Sequence, residues 1–219
     1  LVEVVQKVTK CETKLMMVDK TQVQLKKNKK PINETDKLQT EMTLNHTSTG
    51  LRSELAKSKE TFRFRESIVR DELFGTMAKL NPAYTFEAYV PGPSNQMAYS
   101  ACNSVAERPG DRYSPLFLFG PAGMGKTHLL HSIGGLVQSQ YPTLKVLYIN
   151  AEQWVRSYVK CVRERKFETF RRRFRTGCDI LLIDDIQFLA GKDASQDEFF
   201  HTFNCLQETH KQIVVTGDK

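Results

Sequence analysis

Apolar residues are spread unevenly along the 219-residue chain, and the pattern changes near residue 79. Residues 21–59 are dominated by Lys, Thr, Asn, Gln, Ser and Glu, with isolated Leu or Met. So little apolar surface cannot offset the entropy lost on ordering, and the stretch reads as a disordered or weakly ordered linker. Before it, "LVEVVQKVTK" and "KLMMVDKTQVQL" read either as a short helix and a strand or as more linker. "FRFRESIVRDELF" (62–74) has the pattern of a short amphipathic helix. The expected organisation is a remnant of an N-terminal interaction domain at 1–24, a flexible linker at 25–78 and a folded unit at 79–219.

Within the folded unit, β-type apolar runs occur at "LFLF" (116–119), "KVLYI" (145–149), "ILLI" (180–183) and "QIVVT" (212–216). The segments between them are long enough for helices. Strands that alternate with helices predict an α/β unit, a parallel sheet flanked by helices. "ILLI" is apolar without alternation, as a central strand covered on both faces requires.

Composition adds a bias toward polyanions. The net charge is +7 and the sequence pI about 9.1, a balance that suits nucleic acid or an acidic lipid surface. The five cysteines form no C-x-x-C pair and have no histidine at zinc-finger spacing. They read as reduced, mostly buried thiols of a cytoplasmic protein. The sequons at Asn33 and Asn45 are then chance matches. No apolar run approaches the roughly 20 residues that span a bilayer, and "LVEVVQKVTK" is too short and polar for a signal peptide.

The chemistry begins at "GPAGMGKT" (120–127), a G-x-x-x-x-G-K-[ST] loop between an expected strand and an expected helix. Its glycines let the backbone turn tightly and aim N–H groups at phosphate oxygens. Lys126 is then placed for the β- and γ-phosphates and the Thr127 hydroxyl for Mg²⁺, with the helix N-terminus adding positive potential. The loop predicts a bound nucleoside triphosphate with Mg²⁺. "ILLIDD" supplies acids at the end of a buried strand, Asp184 for the metal and Asp185 to orient or deprotonate the attacking water. Two adjacent carboxylates closing an apolar run would be costly without a cation. Asp218, after the fourth strand, is placed either for the γ-phosphate or attacking water or as an ordinary turn residue.

Two further stretches are basic or helical. Ser195-x-x-Glu198 reads as a capping box that starts a helix, with Phe199, Phe203 and Leu206 on its core face. Lys192, just before that helix, is either a solvated surface cation or a contact to a nucleic-acid phosphate. In "EQWVRSYVKCVRERKFETFRRRFR" (152–175), Trp154, Tyr158, Cys161, Phe167, Phe170 and Phe174 recur at helical spacing and read as core. The interleaved arginines and lysines form a solvated face or line a groove for a nucleic-acid backbone. His128 and His131 have no ligand partner at useful spacing and read as packing or surface residues.

"LNPAYTFEAYVPGPSNQMAYSA", "PLFLFGPAGMGKTHLLHSIG", "ILLIDDIQFLAGK" and "DEFFHTFN" closely resemble the AAA+ domain of the DnaA family of bacterial chromosomal replication initiators, over residues 80–219. The resemblance implies a P-loop AAA+ core and a slow ATPase switch that assembles into an oligomer at a replication origin and opens the duplex. It implies ATP binding through Gly120, Gly123, Met124, Gly125, Lys126, Thr127 and His128, with "NPAYTFEAYV" on the adenine side. It places Mg²⁺ at Thr127 and Asp184, catalytic carboxylates at Asp185 and Asp218, and single-stranded DNA at Val159, Lys192 and Ser195. Other partners it implies are duplex origin DNA through a C-terminal domain, a replicative helicase through an N-terminal domain, and acidic phospholipids. The alternative is a DnaA-like regulator or helicase loader that acts by protein contact.

Departures from the family pattern are Ala194, where Arg or Lys is frequent, and Thr216-Gly217-Asp218, where Thr-Ser-Asp is usual. The family continues beyond the position of Lys219 with a fifth strand, an arginine finger, a helical lid and a helix-turn-helix domain. The chain is thus expected to be a fragment lacking the lid, with hydrolysis impaired.

Overall fold

The computed structural model describes Phe74 and residues 79–218. The expected N-terminal remnant, and the linker and amphipathic helix apart from Phe74, lie outside the described residues. Strands β1 (Leu116–Phe119), β2 (Val146–Asn150), β3 (Ile180–Asp184) and β4 (Gln212–Gly217) form a parallel sheet in the order β1-β4-β3-β2. Each begins and ends within a residue of the apolar run that predicted it. The helices are α1 (Gln96–Glu107), α2 (Lys126–Gln140), α3 (Ala151–Arg163), α4 (Phe167–Arg171) and α5 (Asp193–Glu208).

The strands are apolar throughout because both faces are covered. Leu116, Leu118, Ile180, Leu182 and Val214 face one layer, where they join Ala101, Cys102 and Val105 of α1 and Leu129, Leu130, Ile133 and Val137 of α2 in one core cluster. Residues one step along each strand point the other way. There Phe117 of β1 meets Phe203 of α5, with ring centroids 6.1 Å apart. Gly134 lets α2 approach closely, since a Cβ there would lie 2.7 Å from Leu80 and 2.9 Å from Leu182.

Of the residues in 152–175 read as core, Trp154, Cys161, Phe170 and Phe174 are buried, while Tyr158 and Phe167 are half-buried. Trp154 is fully buried, with its ring 4.9 Å from Phe170, 4.4 Å from Phe174 and 5.5 Å from Phe199. Phe74 completes this cluster at 5.9 Å from Phe174. The helix is not continuous, however. Asn150 caps α3 by accepting the Gln153 N–H at 2.7 Å, and Lys160 and Arg163 complement the dipole in its last turn. The chain then breaks at Arg165, whose φ of 55° is left-handed, before α4 and a π-helical turn at Arg172–Thr176.

The expected capping box is corrected. Helix α5 starts at Asp193 with Lys192 as its N-cap, so Ser195 lies inside the first turn and is buried. Glu198 does not reach back to cap because two arginines hold it. Its carboxylate is buried and accepts from Arg175 Nη2 at 2.6 Å, with Arg171 Nε at 3.6 Å. This pairing fastens α5 to the α4 and π-turn segment.

Among the described residues, all four cysteines are free thiols, and burial pushes Cys161 up to about 11 and Cys178 up to about 12. No helix among them is long and apolar enough to cross a membrane.

Replacing Glu198 with Ala should leave the Arg175 guanidinium against a buried face without its carboxylate, while Arg171 keeps Glu168 at 3.2 Å. Breaking a buried pair costs about 3–5 kcal/mol, and the partial exposure of both arginines sets the expectation near the lower limit, about 3 kcal/mol. Urea unfolding followed by fluorescence of Trp154, the sole tryptophan, measures it; a change below about 1 kcal/mol would show that the pair is not what fastens these elements.

Candidate nucleotide-binding site

In an open parallel sheet, ligands bind outside the carboxyl ends of the strands. Here β4 lies between β1 and β3 in the sheet. The register pairs Phe119 with Gly217 and Ile183 with Val215. The glycine-rich loop after β1, Asp184 and Asp185 at the end of β3, and Asp218 after β4 therefore emerge side by side on one edge.

The loop has the geometry its glycines predicted. Gly123 and Gly125 have φ of 82° and 79°, left-handed values that an L side chain rarely adopts. A Cβ on Gly125 would also lie 2.6 Å from Tyr89 Cε2. Gly125 is the N-cap of α2 and supplies no side-chain cap, and the first turn holds no acidic residue. The leading N–H groups of α2 are thus not claimed by a side-chain cap, a built-in anion site. Lys126 donates to the carbonyls of Gly120 at 2.8 Å and Pro121 at 2.9 Å, and pairs with Asp218 Oδ1 at 2.8 Å.

The carboxylates are held by neutral donors. Asp184 is buried; its Oδ1 accepts from the Thr216 hydroxyl and its Oδ2 from the Tyr148 hydroxyl at 3.3 Å. The same Thr216 oxygen accepts the Asp185 N–H at 3.0 Å. Asp185 has a φ of 57°. Burial first, then the Asp184 carboxylate, pushes the Asp185 carboxyl above its usual range; Gln187 and Lys126 pull it back. Gln187, in the 3-10 turn Ile186–Leu189, donates to Asp185 Oδ1 at 3.1 Å and to Asp218 Oδ2 at 3.3 Å. Among the described residues no group of three or more His, Cys, Asp or Glu side chains is placed to hold a metal. An ion here would draw on Thr127, Asp184, water and phosphate oxygens, which suits Mg²⁺.

Residues 81–89 are tied onto the start of α2. The Asn81 N–H donates to His131 Nδ1 at 2.9 Å, Ser132 Oγ donates to the Tyr84 carbonyl at 3.2 Å, and Tyr89 donates to the Met124 carbonyl at 3.0 Å. His128 Nε2 lies 2.7 Å from the Thr85 carbonyl, which can only accept, so that nitrogen carries the proton. Tyr84 stacks on the His128 ring at 4.9 Å. Both histidines therefore pack, as read from their lack of ligand partners. His131 is buried, and burial lowers its pKa.

The residues expected at DNA fare differently from one another. Val159 is 45% exposed, on a face of α3 that also presents Arg156, Lys160 and Arg163. Lys192 is exposed, and its ammonium donates to the Phe188 carbonyl. Ser195 is only 4% exposed, so its side chain is not presented to a strand in this conformation. Sequence reasoning missed Thr216, Tyr148 and Gln187. The one usable signal was a polar letter in or beside an otherwise apolar strand end.

Residues 80–219 match the family model described as the bacterial DnaA ATPase domain. The chain is 53% identical over 140 residues to the chromosomal replication initiator protein DnaA of Citrifermentans bemidjiense, an alignment covering 64% of this chain and 30% of that protein. The crystal structure of domain III of the Thermotoga maritima replication initiation protein DnaA superposes with a TM-score of 0.63 at 51% identity, covering 65% of this chain and 59% of that one. A structure of replication initiator DnaA bound to AMPPCP and single-stranded DNA superposes with a TM-score of 0.62 at 37% identity, covering 65% and 44%. The chain thus spans about a third of the length of the curated relatives it matches. With the loop, the paired acids and the sheet order already in place, the match over 80–219 leads to one conclusion: the chain belongs to the bacterial DnaA ATPase-domain family.

Proposed function

We propose that this chain binds ATP·Mg²⁺ at the carboxyl edge of its sheet and serves the ATP-dependent switch of a chromosomal replication initiator. One observation carries the reading. The uncapped N-terminus of α2, with Lys126 at its first position, faces Asp184 and Asp185 across a single strand. Backbone N–H groups from Gly123 to His128 would take the phosphates, Lys126 would exchange Asp218 for a phosphate oxygen, and Thr127 and Asp184 would hold Mg²⁺, the latter through water. A bound metal would supply charge neutralisation at the phosphates. Asp185 would then orient or deprotonate the attacking water, with Asp218 at the γ-phosphate side.

The exposed face of α3 and Lys192 form the DNA-facing surface in this reading. Basic residues interleaved with Val159 suit a single-strand backbone, and a DnaA relative bound to AMPPCP and single-stranded DNA supports the assignment. The family resemblance extends the reading to ATP-dependent self-association at an origin, duplex opening, a replicative helicase partner and acidic phospholipids. Those, and a place in the cytoplasm, belong to the same proposal.

Replacing Lys126 with Ala should weaken ATP binding by more than about tenfold, or about 1.4 kcal/mol. Equilibrium titration measures it, and an unchanged affinity would remove the phosphate site. Asp185→Asn should keep ATP binding and lose hydrolysis. The parent chain alone should itself turn over below about 1 per second, because the family completes its site with an arginine from a neighbour.

The same Asp185→Asn substitution should raise the melting temperature of the nucleotide-free, chelator-treated chain by a few degrees at neutral pH. The folded Asp185 carboxyl is raised above its ordinary 3.8, so its ionised form opposes folding above that raised value. The opposition disappears as pH falls through the ordinary value, so the gain should shrink toward pH 4. Asparagine also tolerates left-handed backbone well. An Asp185→Asn variant that melts lower than the parent at pH 7 would contradict the unfavourable ionisation assigned to this carboxylate.

Lys192→Ala should lower affinity for a labelled single strand and reduce the salt slope by about one unit at most. Fluorescence anisotropy at two salt concentrations reads both. Salt-independent binding, or none at low salt, would move the DNA surface elsewhere.

A further inference from the structure

Asp185 and Asp218 leave neighbouring strands, and their carboxylates repel one another. Between them stands the Gln187 side chain, from the 3-10 turn that follows Asp185. One amide N–H donates to Asp185 Oδ1 at 3.1 Å and the other to Asp218 Oδ2 at 3.3 Å. The amide oxygen accepts the Asp218 backbone N–H at 3.2 Å. Both donors and the acceptor are therefore committed, and all of them to these two aspartates. The remaining Asp218 oxygen pairs with Lys126, so the amide lies on a continuous polar path from the glycine-rich loop to Asp185.

We propose that Gln187 is a positioning residue for ATP hydrolysis, its amide holding the Asp185 and Asp218 carboxylates at a fixed separation on their two strands. This rests on the reading above, in which Asp185 handles the attacking water. The position calls for an amide in particular. A Glu would add another carboxylate where donors are needed, and a Lys or Arg would compete with Lys126 for Asp218. An Asn, one methylene shorter, would not span both acceptors.

Attachment of the turn to the sheet does not depend on this amide. Ile186 and Leu189 are buried, and a Cβ on Gly217 would lie 3.0 Å from Ile186 Cγ2 and 2.7 Å from the Phe119 ring. Glycine in the Thr216-Gly217-Asp218 segment thus leaves room for the turn to lie close to β4, near enough for Gln187 to bridge. Gln187→Ala should accordingly keep the fold, and its effect should fall on chemistry.

The test compares the 219-residue chain with its Gln187→Ala, Gln187→Asn and Gln187→Glu variants and with Asp218→Ala, alone and combined with Gln187→Ala. Thermal melting should stay close to the parent and equilibrium ATP affinity within about threefold of it, while single-turnover hydrolysis of labelled ATP·Mg²⁺ falls roughly 10- to 100-fold in all three Gln187 variants. The double variant should be no slower than the slower single one, because Gln187 acts through the carboxylates. As a readout apart from activity, hydrogen exchange at the Asp218 amide of the nucleotide-free chain should quicken in Gln187→Ala, with Ile183 and Val215 amides unchanged.

Unchanged turnover, unchanged exchange at Asp218, or a loss of turnover matched by an equal loss of affinity or folding would each overturn the proposal. A parent chain that binds no ATP would instead overturn the nucleotide site itself, and this proposal with it.

Discussion

Three carboxylates brought to one edge of a parallel sheet set the terms for everything around them. Asp184, Asp185 and Asp218 end adjacent strands, and one lysine is paired with the set, 2.8 Å from Asp218. A buried carboxylate is tolerated only with hydrogen bonds to its charged form. Asp184 has the Thr216 and Tyr148 hydroxyls, and Asp185 has the Gln187 amide. These donors are neutral, so they hold the acids in place without cancelling their charge. The site remains short of positive charge, which a metal ion and the chemistry of phosphate transfer can use.

The same requirement explains the loop. Lys126 reaches Asp218 only because the backbone from Gly120 folds back around its side chain, giving it the Gly120 and Pro121 carbonyls as further acceptors. That path needs left-handed backbone at Gly123 and Gly125, and at Gly125 it also needs the absence of a Cβ against Tyr89. Tyr89 in turn donates to the Met124 carbonyl, within the loop. Residues 81–89 are therefore part of the wall that shapes the loop.

The strands and the glycine-rich loop were legible because each rests on a local signal. A run such as "ILLI" has few ways to bury itself, and G-x-x-x-x-G-K-T after a strand has a steric reason at every glycine. Helix boundaries were less legible. Ser195 and Glu198 have the spacing of a cap, but Glu198 is claimed by Arg175 and Arg171, residues more than 20 positions away. The helical spacing of the apolar letters gave no sign of the break at Arg165, where the chain adopts a left-handed turn that no glycine announces. Thr216, Tyr148 and Gln187 were missed for a related reason: Thr216 and Tyr148 act on Asp184 from neighbouring strands, Gln187 joins Asp185 to Asp218 beyond β4, and strand order is not visible in a list of apolar runs.

That strand order also determines how residues 81–89 and the acids come into register. The Asn81 N–H ends on His131 Nδ1, the His131 ring lies 4.3 Å from the Tyr148 ring, and the Tyr148 hydroxyl ends on Asp184. Each step joins elements that the sheet already places together, α2 over β2 and β3. The weak link is the ring contact, which fixes distance but has no direction; the hydrogen bonds at either end fix angles. A shift of residues 81–89 would therefore be felt at Asp184 as a displacement of Tyr148, and less as a change in its hydrogen bonding. The Thr216 hydroxyl opposes such a displacement, since it holds Asp184 from the β4 side and also accepts the Asp185 N–H. The two acids are thus anchored to β4, the strand that leads into Asp218, and residues 81–89 reach them through the aromatic contact of His131 with Tyr148.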